Sequence, residues 1–217
     1  MQDFVLASSS PRRREILSAL GIAFMTAEPN VDESLRDGLP AMERVVALAE
    51  DKARAVFEKD AAPQARWILA ADTLVYLPEK RSPLQWPLED SLHADRGKAM
   101  GKPRSRADAE GMIRDLAGRE HVVFTGMALL DTNNGQIETA RSESIVSFAS
   151  LSPAEIDAYL DFGDWEGVAG AYRIQGRAAL HIERIVGSWS GIVGLPIREL
   201  YVILEKSSCP ALAPKGK

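Results

Sequence analysis

Residues 4–17 read Phe-Val-Leu-Ala-Ser-Ser-Ser-Pro-Arg-Arg-Arg-Glu-Ile-Leu. Phe4–Ala7 is an apolar run short enough for one buried strand. Three serines follow, and Pro11, which has no N–H to lose, suits the first turn of a helix. The stretch therefore predicts a strand, a serine loop and a helix whose apolar residues are Ile16, Leu17 and Leu20. Arg12, Arg13 and Arg14 then stand in a first turn where the positive end of the helix dipole ordinarily favours Asp or Glu. A bound anion would resolve that conflict, because backbone N–H groups, serine hydroxyls and guanidinium groups would all converge on it. A solvated basic turn is the plain alternative, and this stretch alone leaves both readings open.

Outward from this unit, Ile22–Ala27 reads as a second strand, and the loop over residues 30–40 carries Asp32 and Glu33 among turn formers. Residues 41–59 are helical in pattern, with Val45, Val46, Ala49, Ala53, Val56 and Phe57 on one stripe and Lys52 at its border. A lysine there either pushes its ammonium into a neighbouring cleft or snorkels to water. Trp67–Ala71 and Leu74–Leu77 are apolar runs interrupted by Asp72-Thr73. A carboxylate flanked by strand hydrophobes is costly to bury unless it is paired or binds a metal. Residues 78–99, with their prolines and mixed charges, read as an inserted loop. Ser105 to Asp108 reads as a capping box opening a helix with Ala109, Met112, Ile113 and Leu116 on one side. Val122–Asp131 and residues 136–149 are strands joined by Asn133-Asn134-Gly135, a hairpin signal. Ser152, Pro153 and Glu155 open another helix, Ala178–Val186 reads as a strand, and Ile197–Lys206 as a last helix burying Leu200, Ile203 and Leu204.

The 217 residues carry a formal net charge of −5, against nonspecific nucleic-acid binding driven by overall charge. One cysteine, Cys209, excludes an intrachain disulfide framework and fits a reducing compartment. No apolar run approaches the ~18 residues of a membrane span, and the opening residues, which lack a charged-then-apolar pattern, lead us to expect no signal peptide. A cytoplasmic protein without nucleic-acid or membrane partners is expected. His93, His121 and His181 are scattered, which speaks against zinc. Glycines at 167, 170 and 176 miss the dinucleotide fingerprint, and Gly97-Lys98 and Gly101-Lys102 miss the Walker loop.

Leu-Ala-Ser-Ser-Ser-Pro-Arg-Arg-Arg-Glu-Ile-Leu over 6–17, Ala71-Asp72-Thr73, Gly101-Lys102-Pro103, His121 with Thr125-Gly126, residues 167–176 and residues 188–196 recur in one order. Together they resemble the Maf family of nucleoside triphosphate pyrophosphatases. The chain departs from that pattern at Val168, where lysine is common, at Gly191, where asparagine is usual, and in the length of the 78–99 stretch. The expected fold is α/β, a mixed twisted sheet with flanking helices, since strands and helices alternate early and the hairpin adds antiparallel pairing. Two lobes around a central cleft are expected, as in Maf/ITPase-like proteins. A single such domain would cover 1–206, with 207–217 a disordered tail.

The resemblance implies attack of water on the α-phosphorus of a nucleoside triphosphate, releasing the monophosphate and pyrophosphate. It assigns Asp72, Glu33, Lys52 and Lys102 to catalysis, with Asp72 as base or metal-bound activator. Asp72 and Glu33 would hold a divalent cation, Mg or Mn, through oxygens. Ser8, Arg12 and Arg13 would bind substrate, and Thr73 and Gln175, with Arg12, match the branch acting on dTTP and UTP. A glutamine amide can pair with the imide edge of uracil or thymine, although it can equally be a buried turn amide. A homodimer stays open, as do 7-methyl-GTP as substrate and a rival role as a nucleotide-binding regulator of septum formation without turnover.

Overall fold

The computed structural model describes residues 3–59, 65–79 and 97–212. Among these residues the strands form one seven-stranded mixed sheet. β1 (Phe4–Ala7), β2 (Met25–Ala27), β3 (Trp67–Leu77), β5 (Glu120–Asp131), β6 (Ile137–Phe148) and β7 (Ile182–Gly187) lie in the order β2-β1-β3-β5-β6-β7. The seventh strand, β4 (Lys98–Met100), pairs with β3 off that path. The helices are α1 (Pro11–Ala19), α2 (Ala41–Phe57), α3 (Arg106–Leu116), α4 (Pro153–Phe162), α5 (Trp189–Val193) and α6 (Ile197–Lys206). The α/β expectation holds. Two compact units share the chain, and β3, β5 and β6 each contribute residues to both.

The first unit comprises the chain up to Asp72, Thr125–Ser142, and everything from Gly194 on. β1 pairs parallel with β2 on one side and with β3 on the other, Val5 opposite Ile68 and Ala7 opposite Ala70. Side chains alternate faces along a strand, so Val5 and Ala7, Ile68 and Ala70, and Ala128 and Leu130 line one face. Ala49, Ala53 and Val56 of α2 pack against these same residues in a single apolar cluster. Small side chains on the sheet let the helix come close. Gly126, two residues before Ala128, carries this furthest: a Cβ there would lie 2.5 Å from the backbone of Val45 and Val46. Only glycine admits α2 at that distance. α1 ends earlier than its sequence pattern suggests, at Ala19, leaving Leu20 exposed ahead of Gly21 at φ +70°.

The second unit comprises Thr73–Phe124 and Glu143–Val193. Here β4 runs antiparallel to the end of β3, with Met100 buried opposite Val75. The last residues of the expected 78–99 loop are therefore a strand; residues 80–96 lie outside the described ones. α3 and α4 pack on each other. Ser105 caps α3 by accepting from the Asp108 amide at 3.2 Å, but Asp108 accepts from Arg104 and so does not close the box. Ser152 and Glu155 do close theirs, and Gly163 ends α4 in the left-handed conformation. β6 and β7 pair antiparallel with a register irregularity at Ser147/Phe148.

Two further stretches differ from the sequence reading. The first half of the 178–186 strand is a 3-10 turn over Arg177–His181, because Ala178 is buried while Ala179 and Leu180 both face solvent, which no alternating strand allows. Within the stretch expected as a disordered tail over 207–217, the described residues are structured: the Cys209 amide donates to the Leu204 carbonyl at 2.9 Å, its side chain is buried, and Pro210–Leu212 form a 3-10 turn. Burial pushes the Cys209 thiol up to about 11, so it is an inert, protonated packing group.

Candidate active site

Ala70 faces α2, so Asp72, two residues on, points to the same side of β3. On α2 the buried stripe is Met42, Val45, Leu48, Ala49, Lys52, Ala53 and Val56. Lys52 lies three residues after Ala49 and four before Val56, at the centre of that stripe rather than its border. The two periodicities bring the charges together. Lys52 Nζ is 2.6 Å from Asp72 Oδ1, and neither residue is more than 9% exposed. The same ammonium is 2.7 Å from Glu33 Oε1. Glu33 opens a 3-10 turn, Glu33–Arg36, inside the expected loop; Asp32 caps it by accepting from the Ser34 amide. Lys52 thus does not snorkel to water. It bridges two carboxylates at the sheet face.

Arg13 supplies the second half of the site. α1 begins without a side-chain cap and without an acidic residue in its first turn. Arg13 Nε donates to the Gly194 carbonyl at 2.8 Å and Nη1 to Ser8 Oγ at 3.1 Å. Ser8 is buried, and its hydroxyl also accepts from the Ser10 amide at 3.2 Å. The arginine is therefore held by both ends of its fork. Burial pulls its guanidinium below the usual value, Asp72 opposes this most strongly, Arg12 adds to the lowering, and Glu33 opposes it. Asp72 and Glu33 are thus near enough to act on Arg13. Around Arg13 and Lys52 themselves the charged groups are Arg12, Arg13, Lys52, Asp72 and Glu33, three cations to two carboxylates, a local balance that favours an incoming polyanion.

Of the sequence-derived residues, the structure gathers Ser8, Arg12, Arg13, Glu33, Lys52 and Asp72 in the first unit. Thr73, Lys102 and Gln175 belong to the second. Thr73 is half-buried, directly after Asp72 on β3, and Lys102 is exposed between β4 and α3. Gln175 is exposed as well, so it is not the buried turn amide.

Among the described residues, no group of three or more His, Cys, Asp or Glu is arranged to hold a metal. Glu33 and Asp72 are carboxylates, the donor type a hard cation takes, and both are held here by the Lys52 ammonium. Their bridged oxygens lie at most about 5.3 Å apart, since both bond one nitrogen, and Mg²⁺ commonly takes one or two carboxylates and completes its shell with water and substrate phosphates.

The sequence reading missed two supports. Gly126 sets the height of α2, and with it Lys52, over the sheet; its signal is a glycine amid the bulky residues of β5. The Gly194 carbonyl fixes Arg13 from 181 residues away and leaves no local trace.

The sequence model of the family described as Maf-like protein matches residues 3–207. A dTTP/UTP pyrophosphatase of Treponema denticola is 41% identical over 211 residues, covering 95% of this chain and 98% of that one. Its counterpart in Pelotomaculum thermopropionicum is 38% identical over 95% of this chain and 97% of its own. A solved nucleoside-triphosphatase / dITP/XTP pyrophosphatase from Mycobacterium abscessus aligns at 14% identity over 74% of this chain and 93% of its own, with a TM-score of 0.34, too slight a likeness to bear on the site. On a match of this extent, with relatives this similar over nearly their whole length, the chain belongs to the Maf family.

Proposed function

We propose that the protein hydrolyses dTTP and UTP to the monophosphate and pyrophosphate, with Asp72, Lys52 and Glu33 at the reacting end. The observation that carries this is the buried Lys52 ammonium bridging Asp72 and Glu33, with Arg13 and Ser8 in the same unit. The names of the relatives supply the substrates.

Water attacks the α-phosphorus, a new P–O bond forms, and the bond from that phosphorus to the bridging oxygen of the pyrophosphate breaks. One carboxylate oxygen of Asp72 is engaged by Lys52, which fixes the side chain and leaves Oδ2 to accept the proton from water. Negative charge builds on the departing pyrophosphate, and cations placed in advance stabilise it without reorganising. Lys52, Arg12 and Arg13 supply that charge, joined by Lys102. Ser8 holds Arg13 and, with the start of α1, offers hydrogen bonds to phosphate oxygens. Glu33 and Asp72 would hold Mg or Mn; such a cation, when bound, polarises water and neutralises phosphate oxygens. Thr73, Arg12 and Gln175 read the base. The setting is cytoplasmic, on small-molecule substrate alone, in one domain over 1–206.

Pyrophosphate release from dTTP, UTP, ATP and GTP, in wild type and in Asp72→Asn, tests the reading. Fast release from the two pyrimidine triphosphates, lost by about 10² to 10⁴-fold in the variant, is expected. Near-normal release by Asp72→Asn rules out that residue as base, and faster turnover of purines or 7-methyl-GTP rules out the pyrimidine assignment.

A further inference from the structure

The second unit contains a backbone strain that the chemistry above does not use. Gly170 and Ala171 are consecutive left-handed residues, at φ +67° and +60°. Glycine adopts this conformation freely, whereas alanine does so at a cost, and such strain persists only where the surroundings over-determine it. Here they do. The Gly170 amide donates to the Gly101 carbonyl at 3.0 Å, and a Cβ on Gly170 would meet the Val75 side chain at 3.1–3.3 Å. The Ala171 carbonyl accepts from the buried Tyr159 hydroxyl of α4 at 3.0 Å. Tyr172 Oη lies 2.8 Å from His121 Nε2 of β5, with Tyr172 and His121 packed edge to face on each other and Tyr172 likewise on Phe148. α3 packs on the same turn.

The strained turn links two site segments. On one side Gly101 immediately precedes Lys102. On the other, three residues beyond Tyr172, Gln175 stands exposed in a tight turn closed by the Gly176 amide on the Arg173 carbonyl at 3.0 Å. Ile174 is buried beside it, and Asp164 accepts from the Arg177 amide at 2.9 Å just past it. We propose that Tyr159, Ala171 and His121 are positioning residues that fix the Gln175 turn relative to Lys102 and so set the base selectivity of the enzyme. This rests on the assignment of Gln175 to the base. The clamp is electrically silent. Burial holds the His121 ring neutral, with a pKa of about 3, and raises both tyrosine hydroxyls above their usual value. None of the three exchanges protons near neutrality, and His121 Nδ1 is buried without a hydrogen-bond partner. A histidine kept neutral and half-satisfied serves geometry rather than acid–base work.

The test compares Ala171→Gly, Tyr159→Phe, His121→Leu and His121→Gln with wild type, reading kcat, KM, equilibrium binding and Tm for dTTP, UTP, ATP and GTP. Ala171→Gly is the sharpest probe, because it relieves strain and should leave Tm equal or higher. In it and in Tyr159→Phe the preference among the four nucleotides should fall by about tenfold, through KM, while kcat on the best substrate stays near wild type. His121→Leu should lose the preference too, and His121→Gln, which keeps a hydrogen-bonding partner for Tyr172, should restore it. An unchanged preference in Ala171→Gly and Tyr159→Phe overturns the proposal and leaves the clamp merely structural. A wild type that prefers a purine refutes the pyrimidine assignment alone, since erosion of that preference still decides the clamp. A wild type that neither turns over nor binds the four differently overturns both.

Discussion

Replacing Lys52 by Met removes the ammonium while keeping most of the stem that packs in the α2 stripe. What remains is Asp72, a carboxylate in a buried position, without its nearest cation. Breaking a fully buried pair from one side costs about 3–5 kcal/mol. The figure here is smaller, because Arg13 also acts on Asp72. The contact to Glu33, whose side chain is 53% exposed, is worth no more than about 1 kcal/mol. A loss of about 2–3 kcal/mol is expected, or roughly 5–10 °C in Tm for a chain of this size. The double variant Lys52→Met/Asp72→Asn removes the orphaned charge as well, so it should be more stable than Lys52→Met alone. The coupling between the two sites should be about 2 kcal/mol. Scanning calorimetry on the wild type, both single variants and the double completes the cycle, and pyrophosphate release on the same proteins should be lost in all three variants. Additive stabilities would refute the buried bridge. So would a Lys52→Met protein that melts with wild type.

Gly126→Ala places a methyl group 2.5 Å from the α2 backbone, which has no side chain to move aside. A loss of about 1–3 kcal/mol is expected from overpacking, with turnover reduced because α2 carries Lys52; normal melting and normal activity would contradict the close approach. His121 gives a pH dependence. Its folded pKa of about 3 lies below the unfolded value of about 6.5, so the unfolded chain holds the extra proton between them. Its contribution is therefore fully present above about pH 6.5 and is lost as pH falls toward 3, at up to about 1.4 kcal/mol per unit. Urea midpoints of His121→Gln should fall less steeply than those of wild type on acidification, and parallel curves would show that the ring is not buried neutral.

The first strand, the helix after Pro11 and the last helix were legible because each rule for them is local. β1 and α6 have the bounds that apolar run and period imply, and α6 buries Leu200, Ile203 and Leu204 as its pattern requires. The two apolar runs around Asp72-Thr73 form one strand, β3, since Asp72 is paired across to Lys52 and the strand need not break around it. Lys52 stands at the centre of the α2 stripe rather than at its border. Val46 and Phe57 look as apolar as Val45, yet only tertiary packing decides that Phe57 stays 40% exposed and that Leu48 and Met42 turn inward. The strand at Lys98–Met100 is three residues long and borrows its hydrogen bonds from β3, so nothing in its own composition announces it. Charged residues in the right order suggested the site; the bridge that makes it specific depends on β3 and α2 periodicities meeting in space.

In the proposed reaction Asp72, steadied by Lys52, directs water to the α-phosphorus. Turnover of dTTP in heavy-oxygen water, followed by mass spectrometry of both products, tests it most directly. The label should appear in dTMP and be absent from pyrophosphate, and Asp72→Asn should release neither product at a comparable rate. Label in pyrophosphate, or stepwise release of inorganic phosphate, would place the attack on another phosphorus and contradict the account.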